Sequence, residues 1–193
     1  MDNVPLADPR ALRAYAHPIR LALVGLLRRQ GPFTATRAAE LTGESVASCS
    51  YHLRMLAKYG LVAEAEGGQG REKPWRATSH STSWPGYSAD PAVASAVGAL
   101  NRAMVERYFA EMAHWLDRSP TEPPEWQQAA PLGDETMYLT ADELARLGEA
   151  FRELLRPYAE RLERPELRPE GSRRVSYVQF AHPVREVPDQ APQ

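Results

Sequence analysis

Residues 31–78 read GPFTATRAAELTGESVASCSYHLRMLAKYGLVAEAEGGQGREKPWRAT, and the spacing within this stretch decides the fold. Thr34 and Ser45 each stand where a side-chain oxygen can accept a backbone N–H at the start of a helix, and Gly43 lies between them where a turn is needed. After Ser45, the apolar residues Val46, Cys49, Leu53 and Leu56 recur at three- and four-residue intervals. They predict a helix to about residue 58 with one buried face, closed by Gly60 at its C′ position. Leu61, Val62 and Ala63 open a strand. Residues 64–66, the glycine turn 67–70 and the return segment 71–78 complete a hairpin.

Two short helices, a tight turn and a hairpin make a winged helix-turn-helix. Turning about 100° per residue from Cys49 puts Ala47, Ser48, Ser50, Tyr51, Arg54 and Lys58 on the side or back of the second helix. Small residues near the N-terminal end let a helix sink into the major groove, and Ser45 adds a hydroxyl there. Hydroxyls and Tyr51 can meet base edges, while Arg54 and Lys58 can reach guanine or phosphate. Arg71, Lys73 and Arg76 make the hairpin a cationic wing, a clamp for phosphate. Arg37, near a helix N-terminus, reads either as a further phosphate contact or as a solvated surface arginine.

The run Ser45-Val46-Ala47-Ser48-Cys49-Ser50-Tyr51-His52-Leu53-Arg54-Met55-Leu56 followed by Gly60-Leu61-Val62 resembles the ArsR-like branch of bacterial winged-helix repressors. That family shows a serine-rich, His-Leu-Lys/Arg-x-Leu, Gly-Leu-Val pattern, and His17-Pro18-Ile19-Arg20 resembles its second-helix start. The resemblance covers roughly residues 8–78. It implies that Ser48, Ser50, Tyr51 and Arg54 enter the groove and that His52 lies near the backbone. Val46 departs from the polar residue often found there, so no operator sequence carries over. The metal-sensing members hold closely spaced cysteines in the third helix. Here that segment reads Thr36-Arg37-Ala38-Ala39-Glu40-Leu41, which builds no thiolate site.

The chain has 193 residues and 43% hydrophobic content, enough for one sizeable domain or two small ones. No apolar run approaches the roughly 18 residues of a membrane span, and no leader pattern opens the chain, so a bacterial cytoplasmic protein acting at the nucleoid is expected. The single Cys49 reads as a small core residue. Residues 1–80 carry 11 Arg or Lys against 7 Asp or Glu, and residues 81–193 carry 12 against 18. A basic front and an acidic back suit a protein that offers one face to DNA.

Around the motif, Asp8-Pro9 starts a first helix with Leu12 and Tyr15 as its apolar positions, and Pro18 opens a second with Ile19, Leu23, Leu26 and Leu27. His17, just before that proline, reads as a packing or capping residue. Residues 8–79 form the predicted DNA-binding domain and 80–91 a Ser- and Pro-rich linker in which Trp84 and Tyr87 pack against something. Residues 92–185 form a helical, partly β region, and 186–193 a frayed tail. In that region residues 92–117 predict the longest helix, striped by Val93, Val97, Leu100, Met104, Tyr108, Met112 and Trp115 and widened by Val105, Phe109 and Leu116. So wide a stripe calls for cover on two sides and makes this helix the expected spine of a homodimer. Prolines exclude regular structure over 118–134. Residues 136–139 and 175–180 read as strands that could pair, flanking a helix capped at Thr140 whose face is Leu144, Leu147, Phe151, Leu154, Leu155, Tyr158 and Leu162. The expected class is mainly α with small β.

Tyr87, Tyr108, Trp115, Trp126, Met137 and Tyr138 could wall an apolar effector pocket, or could simply be core. His114 and His182 lack further ligands at metal spacing. With no nucleophile motif, phosphate cradle or framed acid pair, an enzyme is not expected, nor is a cofactor. The expected function is a homodimeric, sequence-specific regulator of transcription, a repressor by family likeness, acting on an inverted repeat of double-stranded DNA under a small-molecule effector. The rival is a module that holds a protein partner on the winged-helix surface.

Overall fold

The computed structural model describes residues 3–67, 73–130 and 132–184. In chain order come β1 (Asn3–Pro5), α1 (Pro9–Tyr15), α2 (Pro18–Gln30), α3 (Ala35–Thr42), α4 (Val46–Lys58), β2 (Val62–Glu64), β3 (Trp75–Ala77) and β4 (Ser81–Ser83). They are followed by α5 (Pro91–Arg118), α6 (Pro124–Ala129) and α7 (Ala141–Glu163). Among the described residues the protein is mainly helical with two small sheets. It divides into two compact units, Met1–Thr121 and Glu122–Gln193.

Local chemistry sets the helix ends of the first unit. Asp8 accepts the Arg10 N–H at 2.8 Å, Thr34 that of Arg37 at 3.2 Å, and Ser45 that of Ser48 at 3.1 Å, each satisfying an otherwise orphan donor. Gly43 (φ 74°) turns the chain between α3 and α4, and Gly60 (φ 71°) lets it leave α4 for β2. Both lie in the left-handed region, where a side chain would strain the backbone. In the wing, β2 and β3 pair antiparallel with Ala63 opposite Arg76. A bridge from Phe33 to Trp75 ties the α2–α3 connection to the same sheet.

One core fills this unit: Leu12 and Tyr15 from α1, Leu21, Leu23 and Val24 from α2, Ala38 from α3, Cys49, Leu53 and Leu56 from α4, and Ala96, Val97 and Leu100 from α5. The first half of α5 is therefore core of the winged helix itself. Its middle is clasped to α2 by Arg107, which donates to the Leu21 carbonyl at 3.1 Å and to Glu111 Oε1 at 3.0 and 3.1 Å. The guanidinium lies against Gly25, where a Cβ would meet Nη2 at 2.8 Å. Farther along, Phe109, Met112 and Leu116 are exposed, so the second cover expected for this helix is not supplied along that stretch.

Residues 80–91 are not a free linker. β4 pairs parallel with β1, Arg28 donates to the Ser79 carbonyl at 2.9 Å and to Thr82 Oγ1 at 2.7 Å, and Trp84 Nε1 donates to Asn101 Oδ1 at 2.8 Å. Their Ser and Pro content concealed these long-range partners, and the compact unit runs on to residue 121. Residues 118–134 are also more regular than expected. Pro123 and Pro124 sit at the cap and first turn of α6, where a missing N–H costs no hydrogen bond.

In the second unit, α7 opens on the expected capping box, Thr140 and Glu143 bonding each other's backbone N–H. The expected strands at 136–139 and 175–180 are not formed; both segments run without a ladder. Alternation records which faces are apolar, but two short strands alone are marginal without a third element to lie on. The face of α7 is not buried either: Leu147, Leu154, Leu155, Tyr158 and Leu162 are exposed, and Phe151 is half-covered by the Tyr177 ring, 5.6 Å between centroids. The expected tail at 186–193 lies outside the described residues.

The first turn of α2 meets α4 through two imidazoles. His17, the N-cap residue of α2, makes no side-chain cap bond, and its ring lies 4.7 Å from that of His52, tilted by 38°. Burial pushes both rings below the usual histidine value, with the Arg20 charge acting in the same sense and Glu44 opposing. An unfolded histidine titrates near about 6.5, so as pH falls the unfolded chain takes up these protons before the folded one. The stability held by the neutral pair is complete above that value and is lost as pH falls through it toward the lower folded values. The urea midpoint should accordingly drop between about pH 7.5 and 5.5, and a His17→Gln/His52→Gln variant should show a flatter profile. In the core, Leu100→Ala should cost about 2–5 kcal/mol by the same titration.

Candidate nucleic-acid interface

The inner side of α4 is fixed by Cys49, Leu53 and Leu56, all fully buried. Helical geometry then turns Ala47, Tyr51, Arg54 and Lys58 outward, and all four are exposed, Tyr51 at 56%. Ser48 and Ser50 are half-buried at the margin of this face. The hydroxyls are already engaged: Ser48 donates to Glu44 Oε2 at 3.1 Å, and Ser50 accepts from Arg54 Nη2 at 2.8 Å. The second contact folds the Arg54 guanidinium back along the helix. A guanine edge, which offers two acceptors to a guanidinium, can draw it outward. Ser45 is committed to the cap, which limits it to holding the end of the helix. Lys58 Nζ lies 5.7 Å over the Tyr59 ring at the far end.

The wing is less cationic than its sequence suggests. Lys73 Nζ is 2.9 Å from Glu64 Oε2 on the opposite strand, and that hydrogen bond and charge raise the ammonium above the usual lysine value. Arg76 is exposed on β3. Arg71 lies outside the described residues. Arg37 is bound to Glu40 at 2.6 Å on an exposed surface, which agrees with the solvated reading and leaves a phosphate role dependent on breaking an i,i+3 pair.

Sequence reasoning passed over Arg20 and Glu44. Arg20 Nε and His52 Nδ1 are both shut off from solvent without a hydrogen-bond partner among the described residues. Burial also lowers the Arg20 guanidinium below its usual value. His52 stands edge-on to Tyr51, 5.2 Å between centroids. Arg20, His17 and His52 thus form one group beside the outward row of α4, with Glu44 as its acidic neighbour. The His-Pro-x-Arg sequence was the available signal; it marked a helix start and said nothing of the meeting with α4.

The residues expected to wall an effector pocket are divided between the two units. Tyr87 is 84% and Tyr138 98% exposed, so neither encloses anything. Tyr108 is half-buried within the first unit, and Trp115 carries the Arg118 guanidinium over its ring at 5.2 Å. In the second unit Trp126 is likewise covered by Arg173, at 4.8 Å. Met137 is exposed. These rings were grouped by type and helical spacing, and neither property brings side chains from separate elements together. Among the described residues no cluster of His, Cys, Asp or Glu could hold a metal ion, and no helix is long and apolar enough to cross a membrane.

Comparison with known families supports the same segment. The sequence model described as a helix-turn-helix domain matches residues 15–65, from the end of α1 through β2. Among curated proteins no match is found. The matched segment contains the α3–turn–α4 pair and the group around His52, and the match supports a helix-turn-helix domain of the transcription-regulator kind over residues 15–65.

Proposed function

We propose that the protein is a sequence-specific DNA-binding regulator of transcription, not an enzyme, that acts as a homodimer on an inverted repeat. The observation that carries this reading is the outward face of α4: Tyr51 and Arg54 project from a helix whose opposite side is anchored in the core. Two such helices, one per copy, would enter successive major grooves about one helical turn apart. The wing residues Lys73 and Arg76, and Arg20 beside the α2 start, supply cations for the flanking phosphates. Glu44 acts against indiscriminate binding. A carboxylate next to the groove is repelled by phosphate and tolerated where it can accept from a cytosine amino group. Occupancy of a promoter by such a dimer blocks polymerase, so repression is the direction we assign, and we place the protein in the cytoplasm at the nucleoid.

Selection from a random DNA pool at two salt concentrations tests the reading. An enriched palindrome, weakened by added salt, is the expected result; binding that shows no sequence preference and no salt dependence would sink it. On the selected site, Arg54→Ala should cost about 1–3 kcal/mol and relax preference at one base position. Arg76→Ala should weaken all sequences alike and reduce the slope of log Kd against log salt by roughly one. Fluorescence anisotropy with the selected duplex and single-base variants measures both.

A further inference from the structure

Among the described residues 122–184 none is buried, so the second unit carries its apolar side chains without a core to hold them. They are not scattered. Leu144, Leu147, Phe151, Leu154 and Tyr158 on α7 alternate at spacings of three and four. That is the period of 3.5 that keeps a seam turned toward a partner helix along its length. Leu155 and Leu162 widen the seam on one flank. Leu154 is 68% exposed and Tyr158 59%. The opposite face is ordinary solvated surface, with Glu153 and Arg156 paired one turn apart.

We propose that α7 is a surface through which two copies of this chain associate, the two helices lying antiparallel. The occupant is a second α7 because the helix is complementary to itself read backwards. With Phe151 opposite Leu154 of the second copy, the same register sets Leu147 against Tyr158 and Leu144 against Arg161, while on the flanks Gly148 lies diagonally across from Leu155 and Ala150 from Pro157. A small residue then meets a larger one on each flank, as close-packed seams require. At the two ends Glu143 comes diagonally beside Arg164 of the second copy. The first turn of α7 carries Asp142 and Glu143, while Arg161 shares the last turn with Glu160 and Glu163, so the orientation rests on the helix dipoles, which a parallel pair would align and the antiparallel pair opposes. This goes beyond a two-copy regulator in naming the contact, and the contact stands or falls without DNA.

The test uses the full chain, free of DNA, at micromolar concentration. Sedimentation equilibrium should show a dimer. Leu154→Glu, which puts a charge into the seam, should raise the dimer dissociation constant at least tenfold with helix content by circular dichroism preserved. Glu149→Arg, on the exposed outer face, should leave it unchanged. Orientation is read by oxidation. Leu147→Cys with Tyr158→Cys should crosslink two chains, because the antiparallel register brings these positions together. Leu147→Cys alone should not, the two copies of that position lying on the order of 16 Å apart along the axis. A monomeric wild type, or a dimer indifferent to Leu154→Glu, overturns the proposal. Crosslinking of Leu147→Cys alone overturns the antiparallel arrangement. A chain that dimerises as described but selects no DNA refutes the regulator reading and leaves this contact intact. A chain that selects DNA while ignoring Leu154→Glu does the reverse.

Discussion

The first unit depends on one packing constraint, the burial of the Cys49, Leu53 and Leu56 side of α4 against α1, α2 and α3. An α-helix held along one stripe has no rotational freedom left, so the direction of every outward side chain follows from it. Tyr51 and Arg54 face solvent because Leu53 cannot. Closely packed interiors transmit such constraints well, since turning the helix by one residue would drive a polar group inward and open a void behind it. The N-cap at Ser45 and the left-handed Gly60 fix where the helix starts and stops, and the bridge from Phe33 to Trp75 fixes the wing beside it.

Around that framework the polar groups are held in pairs. Arg54 rests on Ser50, Ser48 on Glu44, Lys73 on Glu64 and Arg37 on Glu40. Each is an exposed contact of small net worth in water. Such contacts keep side chains ordered without committing them, and a stronger charged acceptor can displace the partner. The group made by His17, Arg20 and His52 is different. Two of its nitrogens are shut from solvent with no hydrogen bond among the described residues, and burial favours the uncharged rings. An anion beside it would meet polar atoms that currently lack a partner.

The two units contrast in how they satisfy their apolar surface. In the first, α5 completes the core with Ala96, Val97 and Leu100, and the Arg107 guanidinium closes over Gly25. In the second, a long, well-capped helix keeps its apolar stripe in water. Hydrophobic burial is the main favourable term in folding, and a helix of this length gains little from propensity alone. That open stripe is the surface which the proposed association would cover.

The sequence by itself determined the helix-turn-helix, because its signals are local. Caps at Thr34, Ser45 and Thr140, glycines at 43 and 60, and the three- and four-residue spacing of Cys49, Leu53 and Leu56 all act within a few residues, and each is where it was read. The outward row of α4 was legible for the same reason. What only the tertiary structure decided are the contacts between distant residues. It joined β4 to β1 and so turned an apparent linker into part of the core unit, and it set His17 and Arg20 beside His52. It left residues 136–139 and 175–180 unpaired. Alternation and residue type state which faces are apolar. Which partner covers them depends on chain closure and packing over long separations, and no local pattern encodes that.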